Sequence, residues 1–457
     1  MKRFLLAIVA VGALHAGVPS VIAIRNARVV PVSSPAIPRG TVVLRNGLIE
    51  AVGAEVAVPA DAWVIEGDGL TVYPGLIDAL STLGIPEAAT PATGGGGRGG
   101  GFTTTAVAPQ TTTTTTLARG PEDRPNTTSW VKAADLVKPT DRRLDSARGA
   151  GITTAVTFPT RGIFAGQGAV VDLGGDTAGD MVVTPSIGQY LTLTTNGFGG
   201  GYPGSLMGTI AYIRQIYLDA DHYQKAKAAY AGNPRGTPRP AYDRALEGVL
   251  ESPRVLIPVT RRIDIDRMLR FAAELKVKAI LYGAVEGYRS ADLLKDRNVP
   301  VLVNLKWPEK PRDSDPEEED AMRVLRNREN APATPAAFAK NGVKFAFYSG
   351  GIDRRSDLLK ALKRATDAGL SQDDALRAMT LAPAEIYGVS DRLGSIEKGK
   401  IANLVITKGD LFQTGSEVKY VIVDGVKYEP SPEEPAAGGG RPGGAPPTNT
   451  PEPGEVR

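Results

Sequence analysis

The sequence predicts an α/β chain, a parallel barrel with a small β domain assembled from its two ends. Three observations carry this. The chain opens and closes with short β-rich runs, and its middle alternates buried strands with helices of 3.6-residue period. The strand-helix units recur at the length that winds a parallel barrel.

Residues 22–71 read as the first part of the β domain. Ala27 to Val32, Thr41 to Leu44 and Leu48 to Val52 are β-rich, and Asn46-Gly47 between the last two is a hairpin signal, because both residues tolerate a positive φ. Residues 72–392 read as the barrel. Thr153 to Phe158, Val255 to Val259, Ala279 to Tyr282, Pro300 to Val303 and Lys344 to Tyr348 are buried strands by composition. Between them, Ile265, Met268, Leu269, Ala272 and Leu275 form one helical face, with Asp264 placed to cap it. Ser371-Gln372-Asp373-Asp374 opens another helix in the manner of a capping box. Residues 393–428 return to strands: Ala402 to Thr407, Val418 to Val423, then Asp424-Gly425 and Val426 to Tyr428.

The flanking segments carry different signals. Met1-Lys2-Arg3, an apolar run from Phe4 to Leu14 and small residues at Ala16, Gly17, Ser20 and Ala23 have the form of a secretory signal peptide. That run is shorter than the ~20 apolar residues a membrane span needs. Residues 1–16 are therefore read as removed, with cleavage after Ala16 or after Ala23, and the mature protein as exported, periplasmic or extracellular, without a membrane span. Residues 91–117 are a low-complexity loop, with Gly94 to Gly97, Gly99 to Gly101 and threonine from Thr111 to Thr116. Residues 430–457 hold eight prolines and six glycines and read as a disordered tail.

Composition narrows the chemistry. In 457 residues there are two histidines and no cysteine, so disulfides and cysteine nucleophiles are excluded. His15 lies in the signal segment and leaves only His222, which cannot build a multi-histidine metal centre. With 53 basic and 50 acidic residues, the balance points to no nucleic-acid surface.

Several runs resemble a known family. Val72-Tyr73-Pro74-Gly75-Leu76-Ile77-Asp78 resembles the first barrel strand of the amidohydrolase superfamily, and in particular its exported imidazolonepropionase-like members. Ala150 to Thr154 resembles the lead into the second strand, and Glu286-Gly287-Tyr288 the segment after the sixth. The helix from Ser371 to Thr380, running on into Leu381-Ala382-Pro383-Ala384, is similar to one after the eighth strand, and Pro383 is expected to end it. Leu393 to Lys400 and Ala402-Asn403-Leu404-Val405 resemble the return to the β domain, with Asn403 where aspartate is usual.

The resemblance implies a (β/α)8 TIM-like barrel and hydrolysis of carbon-nitrogen bonds by metal-bound water. It also locates the departure. The His-x-His positions hold Leu80 and Thr82, the next two histidine positions align with Thr260 and Gly283, and the aspartate position with Gly350. No residue aligns with the bridging lysine, since Lys225 and Lys227 sit in a helical pattern. The metal site is degenerate, and no cofactor is expected.

Other candidates remain, each with a plainer reading. Asp78 and Glu286 are candidate catalytic carboxylates. For Asp78 a structural role, orienting nearby backbone, is the commoner one, and for Glu286 beginning a helix, where an acid suits the dipole, stands level with binding a ligand. Arg261, with Arg262 beside it, could hold a ligand carboxylate or be a solvated pair. Ser349 is a candidate ligand contact, with no histidine to make it a nucleophile. The acidic run Asp313, Asp315, Glu317, Glu318, Glu319 and Asp320 lacks the spacing of a calcium loop. Two functions follow: a non-catalytic amidohydrolase-like protein that binds a small ligand or pairs with a second copy or an active relative, or a hydrolase of non-peptide C-N bonds with a metal-independent site.

Overall fold

The structure is a computed structural model that describes residues 20–86, 121–195, 201–310, 315, 319–352, 354–413 and 415–430. The signal segment, the loop 91–117 and the tail after Pro430 lie outside the described residues.

The N-terminal strands are β1 (Val21–Val29), β2 (Ile37–Arg45), β3 (Leu48–Gly53), β4 (Trp63–Glu66) and β5 (Leu70–Pro74). The middle supplies β6 (Leu76–Ser81), β7 (Ile152–Thr157), β8 (Phe164–Gln167), β9 (Ala169–Asp172), β10 (Val182–Thr184) and β11 (Gln189–Leu191). It continues with β12 (Val255–Val259), β13 (Ala279–Gly283), β14 (Val301–Asn304) and β15 (Phe345–Tyr348), and the chain returns in β16 (Leu404–Lys408), β17 (Glu417–Val423) and β18 (Val426–Tyr428).

Strands from both ends share one sheet, ordered β18-β17-β16-β5-β1-β2-β3, with β4 beside β1. The two hairpins turn where small or amide residues permit a positive φ: Asn46 and Gly47 at 50° and 79°, Asp424 and Gly425 at 48° and 77°. These turns touch, since a Cβ on Gly425 would lie 2.8 Å from Gly47 Cα. β1 changes partner from β4 to β5 near Asn26, whose φ of 60° bends the strand. Alternation does the rest: Ile22 and Ile24 face one apolar cluster, Val21 and Ala23 another.

The run Val72 to Asp78 is divided between two sheets rather than forming one barrel strand. β5 ends in the terminal sheet at Pro74, and β6 begins the next sheet at Leu76. Gly75 makes the break, because any side chain there would meet Thr153 of β7, with Oγ1 at 1.9 Å from the Cβ position. The boundary read at residues 71 and 72 thus moves to Gly75.

In the middle, β6 and β7 are parallel, and so are β11 through β15 in succession. Phe164 to Asp172 stands between the two groups and runs antiparallel to both, pairing through β9 with β7 and through β8 with β11. Gly168 marks the switch, since a Cβ there would fall 2.2 Å from the Phe158 ring. The mixed α/β middle therefore contains one reversed segment of two strands, β8 and β9, and among the described residues no ladder joins β15 to β6. Inward side chains form one cluster (Ile77, Val156, Leu256, Ile280, Leu302, Ala346), and outward ones pack under the helices (Ile152, Ile257, Leu281, Val303, Phe347).

Two helix details differ from the sequence reading. Asp264 caps its helix from the third position rather than as the N-cap: Arg261 is the N-cap of Arg262–Leu275, and Asp264 reaches back to accept from the Arg261 amide at 3.1 Å. Pro383 does not end a helix. The break falls at Thr380, and Pro383 sits in the first turn of Leu381–Tyr387, where its missing N–H leaves no bond unmade. Ser371 does cap Gln372–Met379, accepting from the Asp374 amide at 3.0 Å.

Candidate functional site

A parallel barrel presents its working side chains where its strands end. In this mixed α/β fold the parallel strands carry Asp78 and Leu80 in β6, Phe158 just after β7, Tyr282 in β13, Asn304 in β14, Tyr348 at the end of β15 and Ser349 just after it.

Asp78 is buried at 1% exposure, and both of its oxygens are occupied. Oδ2 accepts from Ser349 Oγ at 2.6 Å, and Oδ1 accepts from the Ser349 amide at 3.0 Å and, more distantly, from the Leu80 amide at 3.4 Å. Burial pushes this carboxyl up to about 6, against the pull of the Ser349 hydroxyl and the two amides. No cation is among its partners. The geometry makes Asp78 a clasp between β6 and the end of β15, where no ladder closes the gap. The two residues are 271 positions apart in sequence.

Beside the clasp lies an aromatic stack. Tyr190 and Tyr282 are stacked with ring centres 5.1 Å apart, and Phe158 packs on Tyr190 at 5.5 Å. Tyr282 donates to the Leu191 carbonyl at 2.9 Å and Tyr387 to the Ala79 carbonyl at 2.8 Å. Burial raises Tyr282, Tyr348 and Tyr387 well above the ordinary phenol, so none supplies a proton acceptor near neutrality.

The remaining candidates are drawn into local structure. Glu286 is buried; it begins the short 3-10 helix Gly287–Arg289 as its N-cap residue, while its carboxylate accepts from the Arg262 amide at 3.0 Å, at the start of a neighbouring helix. Arg261 pairs with Asp264 at 3.0 Å, three residues on in the same turn. Asp78 and Ser349 are brought together; Glu286 and Arg261 belong to the helix start after β12, and no hydrogen bond links them to the clasp among the described residues. His222, Lys225 and Lys227 lie on the helix Leu206–Gly232, where Lys225 pairs with Asp221 at 2.6 Å and Lys227 with Glu247 at 2.5 Å.

The positions that the family resemblance assigns to metal ligands do not fit a metal. Leu80 packs into the inward apolar cluster, and Thr82 Oγ1 accepts from Arg143 at 2.9 Å. Thr260 is exposed, and its carbonyl is taken by the Glu286 amide at 3.0 Å. Gly283 holds φ at +101°, and a Cβ there would stand 2.5 Å from the Val259 carbonyl oxygen. Gly350 holds φ at +63°, and a Cβ would meet Asn304 Oδ1 at 2.1 Å. The backbone at Gly283 excludes a side chain, and at Gly350 one would have to displace the Asn304 amide. Among the described residues, no three His, Asp or Glu side chains converge to hold a metal ion.

One buried cluster escaped the sequence reading. Asp172, at the end of β9, accepts on Oδ1 from Thr154 Oγ1 at 2.8 Å and from Asn403 Nδ2 at 2.7 Å. Asn403 Oδ1 in turn accepts from the Asp424 amide at 2.8 Å. Burial pushes Asp172 up to about 7, the Thr154 and Asn403 hydrogen bonds oppose it, and Asp424 adds to it. An aspartate at 403 would confront this carboxylate. The one available signal was the asparagine standing where aspartate is usual.

Residues 293–427 match the amidohydrolase family. In structure the chain is similar to an amidohydrolase from Thermotoga maritima MSB8, with 24% identity and a TM-score of 0.70 over 89% of this chain and 100% of that one. A second amidohydrolase shares 13% identity at a TM-score of 0.52, over 90% and 100% of the two chains. A prolidase complexed with N-methylphosphonate-L-proline shares 15% at 0.51, again over 90% and 100%. At these identities the likeness is one of fold. No curated protein matches the sequence. The amidohydrolase-family match includes Ser349, Gly350 and Asn403 and omits Asp78 and Glu286.

Proposed function

We propose that the protein is an exported, imidazolonepropionase-like amidohydrolase relative that has lost its metal site and works without catalysis, as a ligand-binding or partner subunit on a (β/α)8-type barrel. The observation that carries this reading is the backbone at Gly283, where a φ of +101° and the Val259 carbonyl oxygen 2.5 Å from a Cβ leave no room for a ligating side chain. A lost ligand on an intact scaffold could be restored by one substitution; a backbone that excludes it could not.

The competing reading is a metal-independent hydrolase of C-N bonds acting through Asp78 and Glu286. Its support is the raised carboxyl of Asp78. Against it, Asp78 is buried and engaged with Ser349, and among the described residues no hydrogen bond links it to Glu286, one oxygen of which holds the Arg262 amide. A general base needs a free acceptor within reach of its proton.

The test is elemental analysis of the purified mature protein together with turnover of small amides. The expected result is no stoichiometric zinc, nickel or iron and no hydrolysis, with or without added metal. Leu80→His with Thr82→His is expected to leave both results unchanged. Near-stoichiometric transition metal with activity lost on chelation would overturn the proposal. Export is checked by mass spectrometry of protein from its native host, where an intact Met1 on the soluble protein would contradict it.

A further inference from the structure

Four small residues, Ala16, Gly17, Ser20 and Ala23, follow the apolar run Phe4 to Leu14, and each has the size that the last residue of a removed signal peptide needs. The terminal sheet chooses among them. β1 begins at Val21, and its first three residues, Val21, Ile22 and Ala23, are 1%, 1% and 0% exposed. Ile22 belongs to one apolar cluster of that sheet, with Leu44, Ile65 and Leu404, while Val21 and Ala23 belong to another with Val43. The segment is paired on both sides. Val21, Ile22 and Ala23 stand opposite Arg45, Leu44 and Val43 of β2, and Ile22 and Ala23 lie beside Trp63 and Val64 of β4. Just ahead of the strand, the Ser20 carbonyl accepts from the Asn46 amide at 2.9 Å, where the β2–β3 turn begins.

We propose that the peptide bond between Ala16 and Gly17 is the processing site, hydrolysed by the signal peptidase of the export route, so that the mature chain starts at Gly17 and keeps all of β1. This rests on the reading that the chain is exported. Water adds across the bond, its C–N bond breaks, and a carboxylate on Ala16 and an ammonium on Gly17 result. Ala16 and Gly17 lie outside the described residues, and what decides between the cuts is what each leaves behind. A cut after Ala23 would remove three pairings with β2, leave only Ile24 and Arg25 to hold β4, and uncover Val43 and Leu44. It would also set a new ammonium at Ile24, which is 0% exposed, where a charge without a partner is costly. A cut after Ser20 would put that charge on buried Val21 and strip the Asn46 amide of its acceptor. Of the two residues left, Ala16 matches the alanine that such a site prefers in last place.

N-terminal sequencing and intact-mass measurement of the soluble protein from its native host test the site, with Gly17 expected as the first residue. Any other internal start, Ile24 above all, would overturn the placement and leave export standing. An intact Met1 would instead refute export, and the cut with it. Two chains made without the signal segment, one starting at Gly17 and one at Ile24, test the structural half apart from export. The first should melt where the protein from the host melts, and the second at least ~5 °C lower or be recovered insoluble. Equal melting temperatures would show that Val21 to Ala23 do not hold the sheet and would overturn the choice of site.

Discussion

Asp78, where the parallel strands end, and Asp172, at the seam with the terminal sheet, are two buried carboxyls with no cation among their hydrogen-bond partners in the described residues. Both are pushed up by burial, to about 6 and about 7. Their surroundings differ. Asp78 is held by a hydroxyl and backbone amides, with both oxygens occupied, and it joins β6 to β15. Asp172 is held on one oxygen by two side chains, Thr154 and Asn403, and Asn403 goes on to fix the β17–β18 turn. A displaced carboxyl therefore marks a clasp as readily as an active site, and location at the strand ends alone does not tell the two apart.

The sharpest way to break the comparison is Asn403→Asp. It sets a second carboxylate on Asp172 and removes the amide donor, with an expected loss of ~3 kcal/mol near pH 8 from an unpaired buried charge. Thermal unfolding at pH 5 and pH 8 checks it, and the deficit should shrink at pH 5 as one carboxyl takes up a proton. A variant as stable as the native chain at pH 8 would mean that the seam bears no load.

A smaller effect is expected from Ser349→Ala, which leaves Asp78 Oδ2 without its hydroxyl partner. The loss should be ~1–2 kcal/mol, the usual cost of one buried hydrogen bond to a charged group. Ser349→Thr should recover most of it. An equal loss from both would assign the effect to packing.

The pH dependence itself tests both carboxyls at once. Both carboxyls have folded values above their ordinary 3.8, so the folded state binds more protons than the unfolded chain between about 4 and 7. Their contribution to stability is full below 3.8 and is lost as pH rises through about 6 and then about 7. The melting temperature is expected to fall from pH 5 to pH 8. Asp172→Asn should remove the upper part of that fall and leave the part due to Asp78. A melting temperature that climbs over this range would refute the assignment.

Much of the fold was legible because its causes are local. Asn46-Gly47 and Asp424-Gly425 declare their turns through residues that accept positive φ, and the runs that became β7, β12, β13, β14 and β15 declare themselves by continuous burial on both faces. The reversed segment Phe164 to Asp172 was not legible, since direction leaves no trace in a short buried run. Helix ends were misplaced by a few residues at Asp264 and Pro383, where an acid or a proline serves more than one position in a first turn.

For the candidate site the division is sharper. The amino-acid sequence by itself determined what chemistry was absent: two histidines and no cysteine cannot ligate a multi-histidine centre in any fold. It also determined the turns and most of the strands, whose information lies within a few residues. Only the tertiary structure decided that Asp78 meets Ser349 across 271 residues, that Glu286 serves the Arg262 amide, and that Asn403 faces Asp172. A side chain's partner is chosen by which strand ends pack together, and that choice is made by the whole chain's burial rather than by any stretch of it.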